Sequence, residues 1–271
     1  MKRILAFLPA FLCLCCLVLS AAAADDTVTV DFLKVGKADC TVIRYAGHVY
    51  MIDTATENKA DDILDFLDDS GIDSIDILFL SHYDKDHIGG AAELLESIPV
   101  GAVYTTAYAA VQSDALDALY DALDDAGITA DAVTDETVLE DGKLTFTLYP
   151  PLAQDYESND SSLVIRMAYG DTAMLFTGDI EQARIAALLS AGTDLTADLI
   201  KMPHHGAYDE GTEPLISAVN AQYAVITCSK DDKEDSDTED ALQDAGTEVY
   251  LTRKGAVTAV SDGRTVTVTQ D

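Results

Sequence analysis

Two short segments hold four of the five histidines in this 271-residue chain. The first, SHYDKDHIGG (81–90), places His82, Asp84, Asp86 and His87 within six positions. Imidazole nitrogens and carboxylate oxygens together suit a divalent transition ion such as zinc or manganese. A solvated loop with two incidental histidines is the alternative. The residue types and their spacing favour a metal-binding loop.

The second segment, IKMPHHGAYDEG (200–211), contains His204 and His205 and continues with Gly206. Another strand pattern ends in FTGD and brings Asp179 to the start of a predicted helix, where a lone aspartate is usually a cap. Glycines beside these residues allow the backbone to approach closely. Three strand ends that each supply a ligand type predict a site at one edge of the β-sheets.

Alternating strand and helix patterns surround these segments. The run IDILFLS (75–81) predicts a buried strand before the first histidine segment, and SDALDALYDALDDAG (113–127) predicts an amphipathic helix. Further strands and helices follow the same two periodicities along the chain. Because no linker rich in proline, serine or glycine divides them, we predict one α/β domain with two sheets covered by helices.

The N-terminus has a pattern of its own. Two basic residues precede an apolar run, Ile4 to Leu19, and small residues follow it. This predicts a secretory signal peptide over 1–24 and a mature hydrolase domain over 25–271. A membrane anchor is the alternative, but the run is short and contains Pro9. We therefore expect a secreted, extracellular protein, retained at the cell surface or free, without stable membrane insertion after cleavage.

Only two cysteines, Cys40 and Cys228, follow the predicted signal peptide. In an exported chain they can form one disulfide. Both lie beside apolar runs, so two buried free thiols is an equally good interpretation.

The chain is strongly acidic: 16 lysines and arginines stand against 49 aspartates and glutamates, for a net charge of −33. Such a surface repels polyanions, so tight non-specific binding to nucleic acid is disfavoured. Because most of these acids belong to a solvated face, a single aspartate indicates little. The functional prediction therefore depends on the histidines.

Taken in order, four motifs resemble the metallo-β-lactamase superfamily, and within it the ComEC-type domain in a stand-alone secreted form. They are MIDTA, SHYDKDHIGG, NDSSLVIRMAYGDTAMLFTGD and KMPHHGA. The similarity runs from about Val28 to the C-terminus. It implies an αββα four-layer sandwich, with two mixed β-sheets flanked by helices and a two-metal site at the sandwich edge.

Carried over residue by residue, the resemblance implies two divalent ions, Zn²⁺ or Mn²⁺, and six metal ligands: His82, Asp84, Asp86, His87, Asp179 and His204. The last ligand can also be His205, although we favour His204. Asp84 stands where lactamases have a histidine, and the additional carboxylate makes manganese credible.

Two further residues are expected to support the metals. Asp53 matches an acid at the end of an early strand, which would orient a ligand. Asn159 lies where many superfamily members have another histidine, so one ion would be held more openly.

The resemblance also implies catalytic roles. Two cations would activate a bridging water as hydroxide, which Asp86 would orient. His205 would contact the substrate oxyanion or protonate the leaving group. Lys201 is the candidate substrate-binding residue, with Arg166 as a second possible phosphate partner, although surface roles are the commoner ones for such residues.

The resulting prediction is an exported phosphodiesterase or phosphoesterase. Its substrate would contain a phosphate ester, as a nucleotide, a nucleic acid or a cell-wall polymer, and no protein partner is inferred. Two departures from the family pattern, Ala207 and the acidic segment CSKDDKEDSDTEDAL, weigh against DNA. A hydrolase of a lactam, lactone or thioester and a non-catalytic metal-binding module remain as alternatives.

Overall fold

The computed structural model describes residues 27–108 and 112–271. The predicted signal peptide, residues 1–24, lies outside them. Within the described part, no helix combines the length and the apolar character needed to cross a bilayer.

The strands of the described residues form two mixed sheets. The first has eight strands in the spatial order β15-β14-β1-β2-β3-β4-β5-β6. Their bounds are β1 Val28–Phe32, β2 Thr41–Tyr45, β3 His48–Ile52, β4 Ile75–Leu80, β5 Val100–Thr106, β6 Asp131–Val133, β14 Val257–Ser261 and β15 Val266–Gln270. The run from β3 to β6 is parallel, so the C-terminal ends of these strands lie along one edge.

The second sheet has seven described strands in the order β13-β12-β11-β10-β9-β8-β7. Their bounds are β7 Thr137–Asp141, β8 Leu144–Tyr149, β9 Val164–Tyr169, β10 Thr172–Phe176, β11 Leu199–Lys201, β12 Tyr223–Ile226 and β13 Glu248–Leu251. Strands β10 to β13 are parallel, while β7 to β10 are antiparallel.

Seven α-helices within the described ranges connect these strands. Their bounds are α1 Ala60–Asp69, α2 Lys85–Ile88, α3 Ala91–Ser97, α4 Asp114–Ala126, α5 Gln182–Ala191, α6 Thr212–Val219 and α7 Ser236–Asp244. Helix α4 begins as the sequence predicts, because the Ser113 side chain accepts from the Leu116 amide. It ends at Gly127, which has a left-handed φ of 68°.

Three apolar clusters hold the layers together. One packs the first sheet against α1, α3 and α4, and another packs the second sheet against α5, α6 and α7. The third lies between the sheets and includes Phe32, Phe79, Phe146 and Phe176. Helix, sheet, sheet and helix therefore form four layers, which confirms the predicted αββα sandwich.

The two cysteines have different surroundings. Cys40 belongs to the core cluster of the first sheet, and Cys228 belongs to that of the second. Both are buried free thiols. Of the two possibilities that the sequence left open, a disulfide or two buried free thiols, the structure has the free thiols.

Candidate metal centre

Three strand ends from both sheets meet at one edge of the sandwich. Strand β4 leads to His82, β10 leads to Asp179 and β11 leads to His205. The ring centres of His82 and His87 lie 4.1 Å apart, and those of His87 and His205 lie 5.5 Å apart. The two histidine segments therefore form one cluster.

The two histidines of the first segment are fixed through their Nδ1 atoms. His87 Nδ1 donates to Asp53 Oδ2 at 2.8 Å. The Ser81 hydroxyl donates to the same oxygen at 2.7 Å, so it accepts from His82 Nδ1 at 3.1 Å. Asp53 thus orients His87 directly and His82 through the serine, which is how carboxylates behind metal ligands act.

His205 is held in the same way by residues of another region. Its Nδ1 donates to the carbonyl and hydroxyl oxygens of Thr227 at 3.1 and 3.0 Å and lies 3.5 Å from Asp39 Oδ1. Thr227 in turn donates to that Asp39 oxygen at 2.6 Å. Asp39 is buried and was not among the site residues predicted from the sequence. Its position in the largely apolar segment ADCTVI (38–43) is the sequence feature that could have indicated a buried carboxylate.

Four buried polar atoms of this cluster have no hydrogen-bonding partner among the described residues: His82 Nε2, His87 Nε2, His205 Nε2 and Asp179 Oδ1. The other Asp179 oxygen, Oδ2, lies 3.2 Å from His87 Nε2 and 3.4 Å from His205 Nε2. Asp86 Oδ2 also lies 3.4 Å from His205 Nε2. Buried polar atoms without a partner destabilise a fold, and a bound divalent metal ion would supply that partner. The convergent nitrogens and oxygens are suitable ligands for such an ion.

Among the described residues, ligand atoms within 4.8 Å of one another form three groups that share His87: His82–His87–Asp179, Asp86–His87–His205 and Asp39–Asp53–His87. One imidazole nitrogen binds one ion, so His87 serves one group only. Asp84, at the beginning of α2, has its Oδ2 3.8 Å from His82 Nε2. The donors of this edge are therefore numerous enough for two ion positions.

Charge is strongly coupled across this centre. Although burial raises it, the His87 and His205 imidazoles hold the pKa of Asp179 well below its usual range. Burial by itself lowers the pKa of His205, but the Asp179 carboxylate raises it to about 9. Burial and the nearby His87 lower the pKa of His82 to about 4. The Asp179 carboxylate is therefore ionised and attracts cations.

His204 lies outside the groups of ligand atoms and is directed to Glu181, which corrects the preference for His204 as a ligand. His204 and His205 both have left-handed backbone, with φ of 46° and 54°, a conformation uncommon outside glycine. This geometry directs the two rings apart. His204 Nδ1 lies 3.1 Å from Glu181 Oε1, and its side chain is 33% exposed. His205, assigned a catalytic role from sequence, has the ligand geometry instead.

Asn159 also has another role than the one predicted. Its side chain donates to Glu181 Oε1 at 2.9 Å, and so it supports the partner of His204. The residue that reaches the centre is Ser162, whose hydroxyl lies 3.3 Å from His82 Nδ1 and accepts from the Asp179 amide at 3.0 Å.

Neither basic residue that we predicted to bind phosphate faces a free surface at the centre. Lys201 is buried and its ammonium contacts Asp39 and Asp179. Arg166 donates to the Thr196 carbonyl at 3.0 Å and pairs with Asp194 at 3.5 Å, away from the histidines. The prediction of Lys201 as a substrate-binding residue is therefore corrected, because burial leaves its charge no access to substrate.

The glycines of the first segment serve packing rather than a bound group. A Cβ at Gly90 would lie 2.5 Å from the Thr54 carbonyl oxygen. Gly178, just before Asp179, has a φ of 54°, and a Cβ there would lie 2.7 Å from Ser162 Oγ. Only glycine permits these close approaches, which hold the loops of the centre against each other.

A cavity of about 440 Å³ opens beside His204. Asp160, Glu181 and Asp209 line it, together with apolar residues of α5 and the second histidine segment, and none of its lining residues is lysine or arginine. Asp160 accepts from the Glu181 amide at 2.7 Å, and Asp209 accepts from the Gln182 amide at 2.7 Å. The N–H donors near the start of α5 are thus already used.

The model of the metallo-beta-lactamase superfamily matches residues 33–229. The chain belongs to the metallo-β-lactamase superfamily. Curated relatives agree: the chain is 30% identical over 173 residues to ComE operon protein 3 of Bacillus subtilis (strain 168), covering 63% of this chain and 22% of that protein. It is 26% identical over 208 residues to the competence protein ComA of Neisseria gonorrhoeae, covering 76% and 28%.

These relatives confirm the resemblance to ComEC-type competence proteins. The chain spans about a quarter of the length of the curated relatives it matches. The metallo-β-lactamase fold protein YhfI of Bacillus subtilis superposes with a TM-score of 0.54 at 13% identity, covering 83% of this chain and 96% of that one. A diphosphatase from the PhnP family gives 0.51 at 15% identity, covering 82% and 94%. Fold and donor set are those of a metal-dependent hydrolase of this superfamily.

Proposed function

We propose that this chain is an exported phosphodiesterase that uses two divalent ions, zinc or manganese. The observation that carries the proposal is the common anchoring of His82, His87 and His205. Each has its Nδ1 held by a fixed acceptor and its Nε2 without a hydrogen-bonding partner, and all three converge on Asp179. Anchored imidazoles with free Nε2 atoms are the usual arrangement of histidine metal ligands.

We assign one ion position to His82, Asp84 and Asp179 and the other to Asp86, His87, His205 and Asp179. The first has one nitrogen donor and carboxylates, which suits manganese, while the second has two nitrogens, which suits zinc. The centre contains one lysine, Lys201, and five carboxylates, an acidic excess that divalent ions would offset. The carboxylates are Asp39, Asp53, Asp84, Asp86 and Asp179.

When bound, two such ions supply Lewis acidity toward a phosphoryl oxygen and activate water. The protein supplies orientation. Asp86, about 29% exposed, lies on the first helical turn of α2 and can also hold the attacking water. His204, held by Glu181, lies at the cavity and is suited to protonate the leaving alcohol.

The charge of the cavity beside His204 limits which phosphodiesters would fit as substrates. Its three carboxylates and its lack of lysine or arginine oppose a second phosphate next to the hydrolysed one. A phosphodiester with a neutral or positively charged leaving group therefore fits better than a polynucleotide. The competence proteins among the relatives favour nucleic acid instead, so DNA belongs in the test.

The decisive experiment measures metal content and hydrolysis together. The purified full chain and a His87→Ala variant are analysed by mass spectrometry for zinc and manganese, then assayed with bis-p-nitrophenyl phosphate, DNA and a lactam. Two ions per chain with phosphodiester hydrolysis that the variant loses would support the proposal. Hydrolysis of the lactam alone, or two ions without turnover, would overturn it.

A further inference from the structure

Lys201 lies directly behind the metal centre, at the end of strand β11. Its side chain is only 3% exposed. The ammonium contacts Asp39 Oδ2, lies 3.2 Å from the Gly178 carbonyl oxygen and 3.6 Å from Asp179 Oδ1. Asp179 Oδ1 is within ion-pair distance of the ammonium but beyond hydrogen-bonding distance. Because the ammonium is buried among these oxygens, it does not reach a substrate.

The two oxygens of Asp179 face different partners because of this placement. Oδ1 faces the ammonium of Lys201, while Oδ2 faces the Nε2 atoms of His87 and His205 at 3.2 and 3.4 Å. A carboxylate held at one oxygen keeps the other in a fixed direction. Lys201 thus restricts the one acid that both ion positions share.

The same ammonium also neutralises Asp39. This buried carboxylate accepts from Thr227 at 2.6 Å and lies 3.5 Å from His205 Nδ1 and 3.9 Å from His87 Nδ1. Without a cation beside it, a carboxylate in this position would be a buried unpaired charge. One lysine therefore connects the shared ligand to the residues that orient His205.

We propose that Lys201 is a positioning residue of the metal centre, which fixes Asp179 Oδ2 toward the ion positions and neutralises Asp39 behind His205. The inference rests on the proposed metal centre. Its metal-affinity test does not depend on phosphodiester hydrolysis.

The test uses the full chain, freed of metal, in four forms: unchanged, Lys201→Met, the double variant Lys201→Met with Asp39→Asn, and Lys37→Met. The double variant removes Lys201 together with its nearest carboxylate, so Asp39 is not left as a buried unpaired charge. Lys37, whose ammonium pairs with Asp232 at 3.3 Å on the surface, controls for the loss of one positive charge. Calorimetric titration with Mn²⁺ and with Zn²⁺ gives the dissociation constants.

We expect both Lys201 variants to bind metal about 10-fold to 100-fold more weakly, as for other residues behind metal ligands, and Lys37→Met to bind normally. In steady-state assays at saturating metal, kcat should fall while KM changes by less than about threefold, because Lys201 does not contact substrate. Should Lys201→Met fail to fold, the double variant decides.

Unchanged metal affinity in a folded double variant would overturn the inference. So would a raised KM with normal metal affinity, since it would make Lys201 a substrate contact. A chain that binds two ions, loses affinity in the Lys201 variants and hydrolyses no phosphodiester would overturn the proposed function alone.

Discussion

The two histidine segments reach the same centre by different means. In the first, His82 follows strand β4 and His87 lies in helix α2, and each ring is anchored through Nδ1. In the second, the histidines are adjacent and both have left-handed backbone, so one ring turns inward to Thr227 and the other outward to Glu181. Spacing therefore identifies a ligand only where regular backbone fixes the direction of its side chain.

The largest effect on metal content and hydrolysis should come from replacing His205, the histidine of the second segment whose ring points into the centre. His205→Ala removes a nitrogen donor next to Asp86 and Asp179. We expect it to lose about one ion per chain and to lower phosphodiester hydrolysis by about 10³-fold or more, while His204→Ala keeps its metal. Metal analysis of the two variants checks this. Loss of metal from His204→Ala only would reverse our assignment.

The outward histidine should affect chemistry instead of metal content. His204→Gln removes the imidazole that Glu181 holds at the cavity. For a phosphodiester with a poor alkoxide leaving group, we expect kcat to fall by about 10²-fold, the low end for general acid catalysis. For p-nitrophenolate, which leaves without a proton, the rate should change little. Equal losses on both substrates would exclude a role in protonation.

The first segment can be tested through its one departure from the lactamase pattern. Asp84→His replaces an oxygen donor near His82 by a nitrogen donor. Because imidazole suits zinc better than manganese, the ratio of zinc to manganese affinity should rise about tenfold. Competitive metal titration measures the ratio, with Asp65→His on the exposed face of α1 as a control. A ratio that stays constant would remove Asp84 from the ligands.

His48, the fifth histidine, forms a histidine–carboxylate pair away from the centre, and this pair affects stability rather than metal binding. Its hydrogen bond with Asp76, 3.0 Å long, raises its pKa, and its side chain is half exposed. Because the pKa of His48 is higher in the folded chain, its protonation stabilises the fold at pH values below the unfolded-state pKa of about 6.5. This stabilisation is lost as the pH rises through the folded-state pKa.

His48→Gln should therefore lower the free energy of unfolding by only about 0.3 kcal/mol near pH 5.5, after allowance for solvent screening, and by nothing near pH 9. Urea unfolding of both chains at the two pH values measures it. A difference that grows with pH would have the wrong sign for this pair.

Much of the fold was accessible from the sequence because local signals agreed with it. The turn at Ala46 and Gly47 joins β2 to β3 through two residues with φ of 52° and 91°. The strand end before His82 and the helix from Asp114 were predicted from the sequence. The direction of His204, the burial of Lys201 and the role of Asp39 were not, because each depends on contacts between segments far apart in sequence.

The distance along the chain between the groups of the centre also sets the order of assembly. Thr227 donates to Asp39 across 188 positions, and Thr227 is the residue that anchors His205. Closing so long a loop is entropically slow, so the complete donor set forms late, after both sheets have joined. Ions that bind only this assembled form select the finished fold over its partly folded precursors. In the exported chain that we propose, metal loading would then take place after translocation and folding.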